Sequence, residues 1–208
     1  MAIEEKKFIR KAELDKVLDY LKANDPPRRH PRYFLAVYLA SECGLRITET
    51  VHLRIEDFRE IEKAVLIVRV AKKGITRKCK ITPDQRPEHR QPVSKRVIRT
   101  CLKYFEWAGI DYKTEEGWLL PGMRGPKARR PASERTMHSV FTAACQAAGI
   151  GHRTFHCLRH YFGFRIARET NGDVTLVKEL LRHADLQTAQ MYINRTPDEL
   201  RSLLDRMK

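Results

Sequence analysis

The sequence predicts a mainly helical α+β domain with one small antiparallel hairpin, and three observations carry that reading. Apolar residues recur at helical spacing through most of the chain, as where Leu14, Val17, Leu18 and Leu21 stand at i, i+3, i+4 and i+7. One window breaks that period: "AVLIVRV" and "CKIT" have strand character and flank a lysine-rich stretch around Gly74. The length of 208 residues, 42% hydrophobic, suits one well-buried core.

Residues 11–22 form an amphipathic helix that stops before "ANDPP". Residues 32–42 are apolar almost all round, which predicts a buried helix closed by Gly44, and a short helix resumes over 47–53. The strands are 64–70 and 79–82, joined across "AKKGITRK" with Gly74 at the turn. The Pro- and charge-rich "PDQRPEHRQP" then reads as a connection, a longer basic loop. A helix from Val93 carries Val97, Ile98, Cys101, Leu102 and Phe105 on one face. The next begins at Ser133, an N-cap, and shows Met137, Val140, Phe141, Ala144 and Ala148 before Gly149. Three helices follow at roughly 157–169, 173–181 and 185–191. Thr196 and Glu199 make a capping-box pattern with Pro197 between them, opening a last helix that carries Leu200, Leu203 and Leu204. The segment "PGMRGPKARRPA" (121–132) reads as a basic loop within one domain, because neither side of it makes a convincing domain alone.

Charge gives the first functional signal. Lys and Arg total 41 against 26 Asp and Glu, a formal net charge of +15. Such a surplus favours a polyanion, since each phosphate neutralised releases condensed counterions. The basic residues cluster in "AKKGITRKCK", "RQPVSKRVIR" and "MRGPKARRPASER". A membrane is not the expected partner: the apolar runs are too short to span one, and no basic amphipathic helix carries Trp or Phe on its apolar face. Five scattered cysteines without a C-x-x-C pair predict reduced thiols rather than a disulfide frame or zinc site. With no apolar leader in "MAIEEKKFIR", a cytoplasmic protein is expected.

Several polar residues sit beside helix ends and turns. Arg46 follows Gly44-Leu45, Lys73 lies at the hairpin tip, and His156 and Arg159 are three positions apart in "TFHCLRHYFG". His183 precedes Asp185, and Tyr192 stands between Met191 and Ile193. None is decisive alone: an arginine after glycine is usually solvated, and a tyrosine at helical spacing is usually core.

In order and spacing together, these residues resemble the catalytic domain of the tyrosine recombinase (integrase) family. "GLRITET" resembles its first-arginine box, with Arg46 and Glu49 in register. "VRVAKKGITRK" resembles its β-hairpin lysine segment, with Lys73 at the catalytic position and Lys72 as the neighbouring alternative. "HCLRHYFGFRIA" matches the H-x-L-R-H box, giving His156 and Arg159, and "LLRHADLQTAQMYI" matches the last box, giving His183 and Tyr192. The resemblance runs from about residue 8 to the end. It implies a helical domain with a small β-hairpin, acting on double-stranded DNA without metal, ATP or other cofactor.

Physical chemistry agrees with those roles. Two guanidiniums match the oxygens of a phosphodiester under attack, so Arg46 and Arg159 form the clamp, and His183 adds a donor. Tyr192, with an ordinary pKa of about 10, must lose its proton to attack; the resemblance implies that His156 assists and that Lys73 protonates the leaving 5′ oxygen. Glu49 is expected to orient a neighbour or cap charge, and His160 and Tyr161 to support the box by packing. The candidates for contacting DNA are Lys72, Arg77 and Lys78 near the hairpin, Arg124, Lys127, Arg129 and Arg130 in the basic loop, and Arg135 and Arg153.

The resemblance further implies a homotetramer on paired DNA sites, a monomer without DNA, a prokaryotic, phage or mobile-element origin, and exchange of the helix at 196–208 between protomers. A single catalytic domain over 1–208 is expected, without the family's N-terminal helical domain, whether as a naturally short recombinase or as an excised domain. Arg182 stands where the family pattern has glycine, a change that a helical conformation would accommodate. A type IB topoisomerase and a non-catalytic DNA-binding relative are the competing classes.

Overall fold

The computed structural model describes residues 8–24, 33–69, 87–122 and 130–182. Its helices are α1 (Lys11–Asn24), α2 (Tyr33–Cys43), α3 (Ile47–Val51), α4 (Lys95–Ala108), α5 (Glu134–Ala147), α6 (His156–Glu169) and α7 (Val174–Leu181). Two 3₁₀ turns, Ile55–Phe58 and Ile61–Lys63, lead into β1 (Val65–Arg69), which pairs with β2 (Glu88–Pro92). Among the described residues the fold is the mainly helical α+β arrangement that the sequence predicts.

The helix without a polar face becomes the centre. Leu35 through Ser41 of α2 are all buried, and α1, α3, α4, α5 and α6 pack around it. Helix starts follow the side-chain chemistry. Ser94 Oγ accepts from Val97 N at 3.3 Å to open α4, and Ser133 Oγ accepts from Thr136 N at 3.0 Å to open α5. Asp173 does the same for Leu176 N at 3.0 Å at the head of α7. Aromatic rings fill the space under α4 and α5: Phe58 meets Phe105 edge-on at 5.0 Å, and Phe141 meets Phe155 at 5.5 Å. Cys43, Cys101, Cys145 and Cys157 are buried and unpaired. No helix of the described residues is long and apolar enough to cross a membrane.

The sheet differs from expectation. Among the described residues the partner of β1 is β2, inside the stretch that reads as a loop; the expected strand at 79–82 and the lysine-bearing turn lie outside the described residues. Antiparallel pairing sets Val65 opposite Pro92 and Arg69 opposite Glu88. Periodicity misses β2 because its side chains are held by polar partners rather than by an apolar face. Arg90 donates to Glu60 at 2.8 Å, Glu88 accepts from Arg69 at 3.3 Å, and Gln91 is fully buried. Proline, with no N–H for a ladder, falls at the strand's end. The ends of the basic segment are also pinned: Gly122 N donates to Arg130 O at 3.0 Å and Ala132 N to Leu120 O at 2.8 Å.

Candidate active site

Three segments, the start of α3, the first turns of α6 and the end of α7, converge on one buried carboxylate, Glu49. Arg46 is the extended N-cap of α3, and its backbone N–H donates to Glu49 Oε2 at 2.8 Å while its Nη1 donates to Oε1 at 2.8 Å. Glu49 is 1% exposed, whereas the Arg46 side chain keeps 27% of its surface open. Arg159, on the first turns of α6, is buried; its Nη1 donates to Gly44 O at 2.5 Å and its Nη2 to Leu181 O, and it lies 3.9 Å from Glu49. Arg46 Nη2 reaches the next carbonyl, Arg182 O, at 3.5 Å. The two arginines of the sequence boxes therefore grip the chain just before His183.

Gly44 makes this approach possible. Its φ is +60°, and a Cβ there would lie 2.5 Å from a Phe162 ring carbon and 2.7 Å from a Leu181 methyl. Its carbonyl accepts from both Arg159 and Arg182.

Arg182 is the participant that sequence reasoning misses. It does not take the helical conformation that would accommodate the change but ends α7 in the left-handed region, φ 53° and ψ 43°, the conformation that glycine adopts at little cost. For arginine this backbone costs about 1–2 kcal/mol. The side chain folds inward, and its Nη2 donates to Glu49 Oε2 at 2.9 Å and Gly44 O at 3.1 Å. Its Nη1 donates to Gln91 Oε1 and to Leu180 O at 3.2 Å. The "RH" departure was the available signal.

Electrostatics follow from this crowd. Burial alone would push the Glu49 carboxyl up, but Arg182, the Arg46 N–H, Arg159 and the Arg46 guanidinium together hold it below its ordinary 4.5. His156 opens α6 with an exposed edge, its ring edge-on to the buried His160 at 4.6 Å. Burial of the rest of its ring, then the charges of Arg159 and Arg46, lower its pKa below the ordinary 6.5. A neutral imidazole thus stands beside a cluster whose three guanidiniums outnumber one carboxylate. That surplus, opening to solvent through Arg46, suits an anion with several oxygens.

Of the remaining candidates, Arg130 and Arg135 are exposed. Arg153 points inward and donates to Glu13 of α1 at 3.1 Å, so its guanidinium is committed to the fold. Lys73, His183 and Tyr192 lie outside the described residues, as do Lys72, Arg77, Lys78, Arg124, Lys127 and Arg129.

Residues 7–199 match the sequence pattern of the phage integrase family. The chain belongs to that family. Among its relatives is tyrosine recombinase XerA of Pyrococcus horikoshii, 29% identical over 174 residues, which are 84% of this chain and 54% of the relative. Tyrosine recombinase XerH of Campylobacter jejuni is 26% identical over 195 residues, 93% of this chain and 50% of the relative. This phage integrase family chain thus spans about half the length of these curated relatives. Its fold matches a XerA recombinase crystal structure with a TM-score of 0.70 at 18% identity, covering 100% of this chain and 66% of the other. A XerH recombinase bound to a palindromic difH substrate, a post-cleavage complex, matches with a TM-score of 0.67 at 19% identity, over 96% of this chain and 52% of that one.

Proposed function

We propose that this chain cleaves and rejoins double-stranded DNA at specific sites, with Tyr192 as nucleophile. The observation that carries the reading is the shared anchoring of Arg46 and Arg159. Both address Glu49, and both hold backbone carbonyls within two residues of His183. The first-arginine box, the H-x-L-R-H box and the opening residues of the last box thereby meet at one positive site. The solved XerH recombinase bound to its difH substrate, whose fold this chain shares, supports the same substrate class.

The step balances without an external energy source. Tyr192 Oη attacks the scissile phosphorus, a P–O bond to tyrosine forms, and the bond to the 5′ oxygen breaks. The tyrosine proton passes toward neutral His156, and Lys73 protonates the departing 5′ oxygen. Arg46, Arg159 and His183 stabilise the charge that builds on the non-bridging oxygens. A 5′ hydroxyl then attacks the 3′-phosphotyrosine in the reverse sense, so the phosphodiester energy is conserved. Arg130 and Arg135 contact phosphates along the duplex. Four protomers assemble on paired sites and exchange the segment 196–208, in a cytoplasmic protein of phage or mobile-element origin.

The test is covalent trapping on a nicked duplex carrying the chain's own site. The unaltered chain is expected to give a denaturant-resistant protein–DNA adduct with a free 5′ hydroxyl, and Tyr192→Phe none. An adduct in the Tyr192→Phe variant would overturn the assignment. Products that require two sites separate recombination from simple relaxation.

A further inference from the structure

We propose that Arg182 is a positioning residue for the phosphate clamp, holding Glu49 and the Gly44 carbonyl so that Arg46 and Arg159 keep their places. This rests on the function proposed above and adds a member to the same site.

The geometry separates this role from phosphate binding. The Arg182 side chain is 3% exposed, and its two terminal nitrogens are occupied by protein acceptors: Glu49, Gly44, Gln91, Leu180 and, at 3.4 Å, Cys43. Little is left to offer a DNA phosphate. The same contacts join four elements: the end of α2, the start of α3, strand β2 and the end of α7. Arg182 donates to Gly44 O beside Arg159, and to Glu49 Oε2 beside the Arg46 N–H. It therefore shares one acceptor with each arm of the clamp.

The backbone points the same way. A left-handed residue with no side-chain task is best filled by glycine. Here the strained conformation is what aims the guanidinium back under α3. Without it, the guanidiniums left to Glu49 among the described residues would be Arg46 and Arg159, the latter at 3.9 Å, and the carboxylate could draw either arginine away from an incoming phosphate.

The charges facing Glu49 are Arg46 at the head of its own helix, Arg159 from α6, Arg182 from the end of α7, and His89 from β2, which senses both Arg182 and Glu49. Deleting the Arg182 charge removes the first of the groups that hold the carboxyl down, so its titration moves up in pH.

The experiment compares Arg182→Gly and Arg182→Lys with the unaltered full chain. Single-turnover cleavage of the nicked duplex is followed against pH, noncovalent DNA affinity is measured alongside, and the Glu49 carboxyl is titrated by ¹³C NMR. Arg182→Gly relieves the turn, so it is expected to unfold cooperatively and bind DNA with little change. Its cleavage rate should fall roughly 10–100-fold, and the acid limb of its profile and the Glu49 titration should both move to higher pH. Arg182→Lys should bring both pH readouts part of the way back while the rate stays low. Parental rate and profile in Arg182→Gly would overturn the proposal. So would a slower variant whose Glu49 titration has not moved, because that describes a turn defect. If Arg182→Gly does not fold, Arg182→Lys decides: parental rate and Glu49 titration there overturn the proposal. If the unaltered chain cleaves nothing, the function reading fails, and the NMR titration still decides whether Arg182 governs Glu49.

Discussion

Two buried carboxylates, Glu49 and Asp57, occupy the same position in successive short helices. Each is the third residue after an arginine N-cap, and each accepts that arginine's backbone N–H at 2.8 Å. Their surroundings then part. The Arg46 guanidinium returns to Glu49, where Arg182 and Arg159 join it. The Arg54 guanidinium instead lies over Trp118, 4.6 Å from the ring centroid, and Asp57 keeps Arg69 as its one guanidinium partner among the described residues. Burial pushes Asp57 up to about 6 despite the Arg54 N–H and Arg69, whereas Glu49 stays below its ordinary 4.5. An equal cap serves the fold at Asp57; a surplus of guanidiniums beyond what capping needs marks the site at Glu49.

The largest break of this contrast is Glu49→Gln. It keeps the shape and removes the one carboxylate among three arginines, two of them buried. Stripping one partner from a buried ion cluster costs about 3–5 kcal/mol, to be read by urea unfolding at neutral pH. Because the folded pKa of Glu49 lies below the unfolded value near 4.5, its stabilisation is present above that value and fades as pH falls through the folded one. The gap between parent and variant should therefore shrink in acid. A gap under about 1 kcal/mol at neutral pH would mean that the arginines need no common anchor.

Asp57→Asn should behave in the opposite sense with pH and cost less. The Asp57 pKa is raised from 3.8 to about 6 in the folded protein, so its stabilisation is complete below 3.8 and is lost as pH rises through about 6. Relative to Asp57→Asn, the parent should lose stability between pH 4 and 7. At pH 7 the two should differ by about 1 kcal/mol, since the amide removes a buried charge but leaves Arg69, among the described residues, the ion pair with Glu88 alone. Urea unfolding across that range checks it; a parent that gains on the variant as pH rises would contradict the assignment.

Side-chain chemistry explains how much of this was legible. The buried helix α2, the apolar face of α4 and the Ser133 cap follow from local pattern, and the box order alone sets Arg46, Glu49, His156 and Arg159 in one family arrangement. Strand β2 was hidden because its residues are polar, held by Arg90–Glu60 and Arg69–Glu88 pairs that no periodicity encodes. Arg182 was visible as a departure, but its consequence depends on a left-handed backbone and acceptors far away in sequence, Gly44 and Glu49. Arg153 looked like a basic surface residue and is paired inside to Glu13, 140 positions away.

The smallest effect tests the other arginine cap. Arg54→Lys keeps the backbone N–H to Asp57 and the positive charge, and loses the flat guanidinium stacked on Trp118 and its 3.3 Å contact to Glu56. That stacking is worth about 0.5–1 kcal/mol, which for a chain of this size lowers the melting temperature by roughly 1–4 °C. DNA cleavage should stay within about twofold of the parent, because neither the Arg54 guanidinium nor Trp118 has a contact with Glu49 or Gly44. Differential scanning calorimetry and single-turnover cleavage measure the two sides. A tenfold loss of cleavage would erase the distinction between the caps and extend the site from the Glu49 cluster to Asp57.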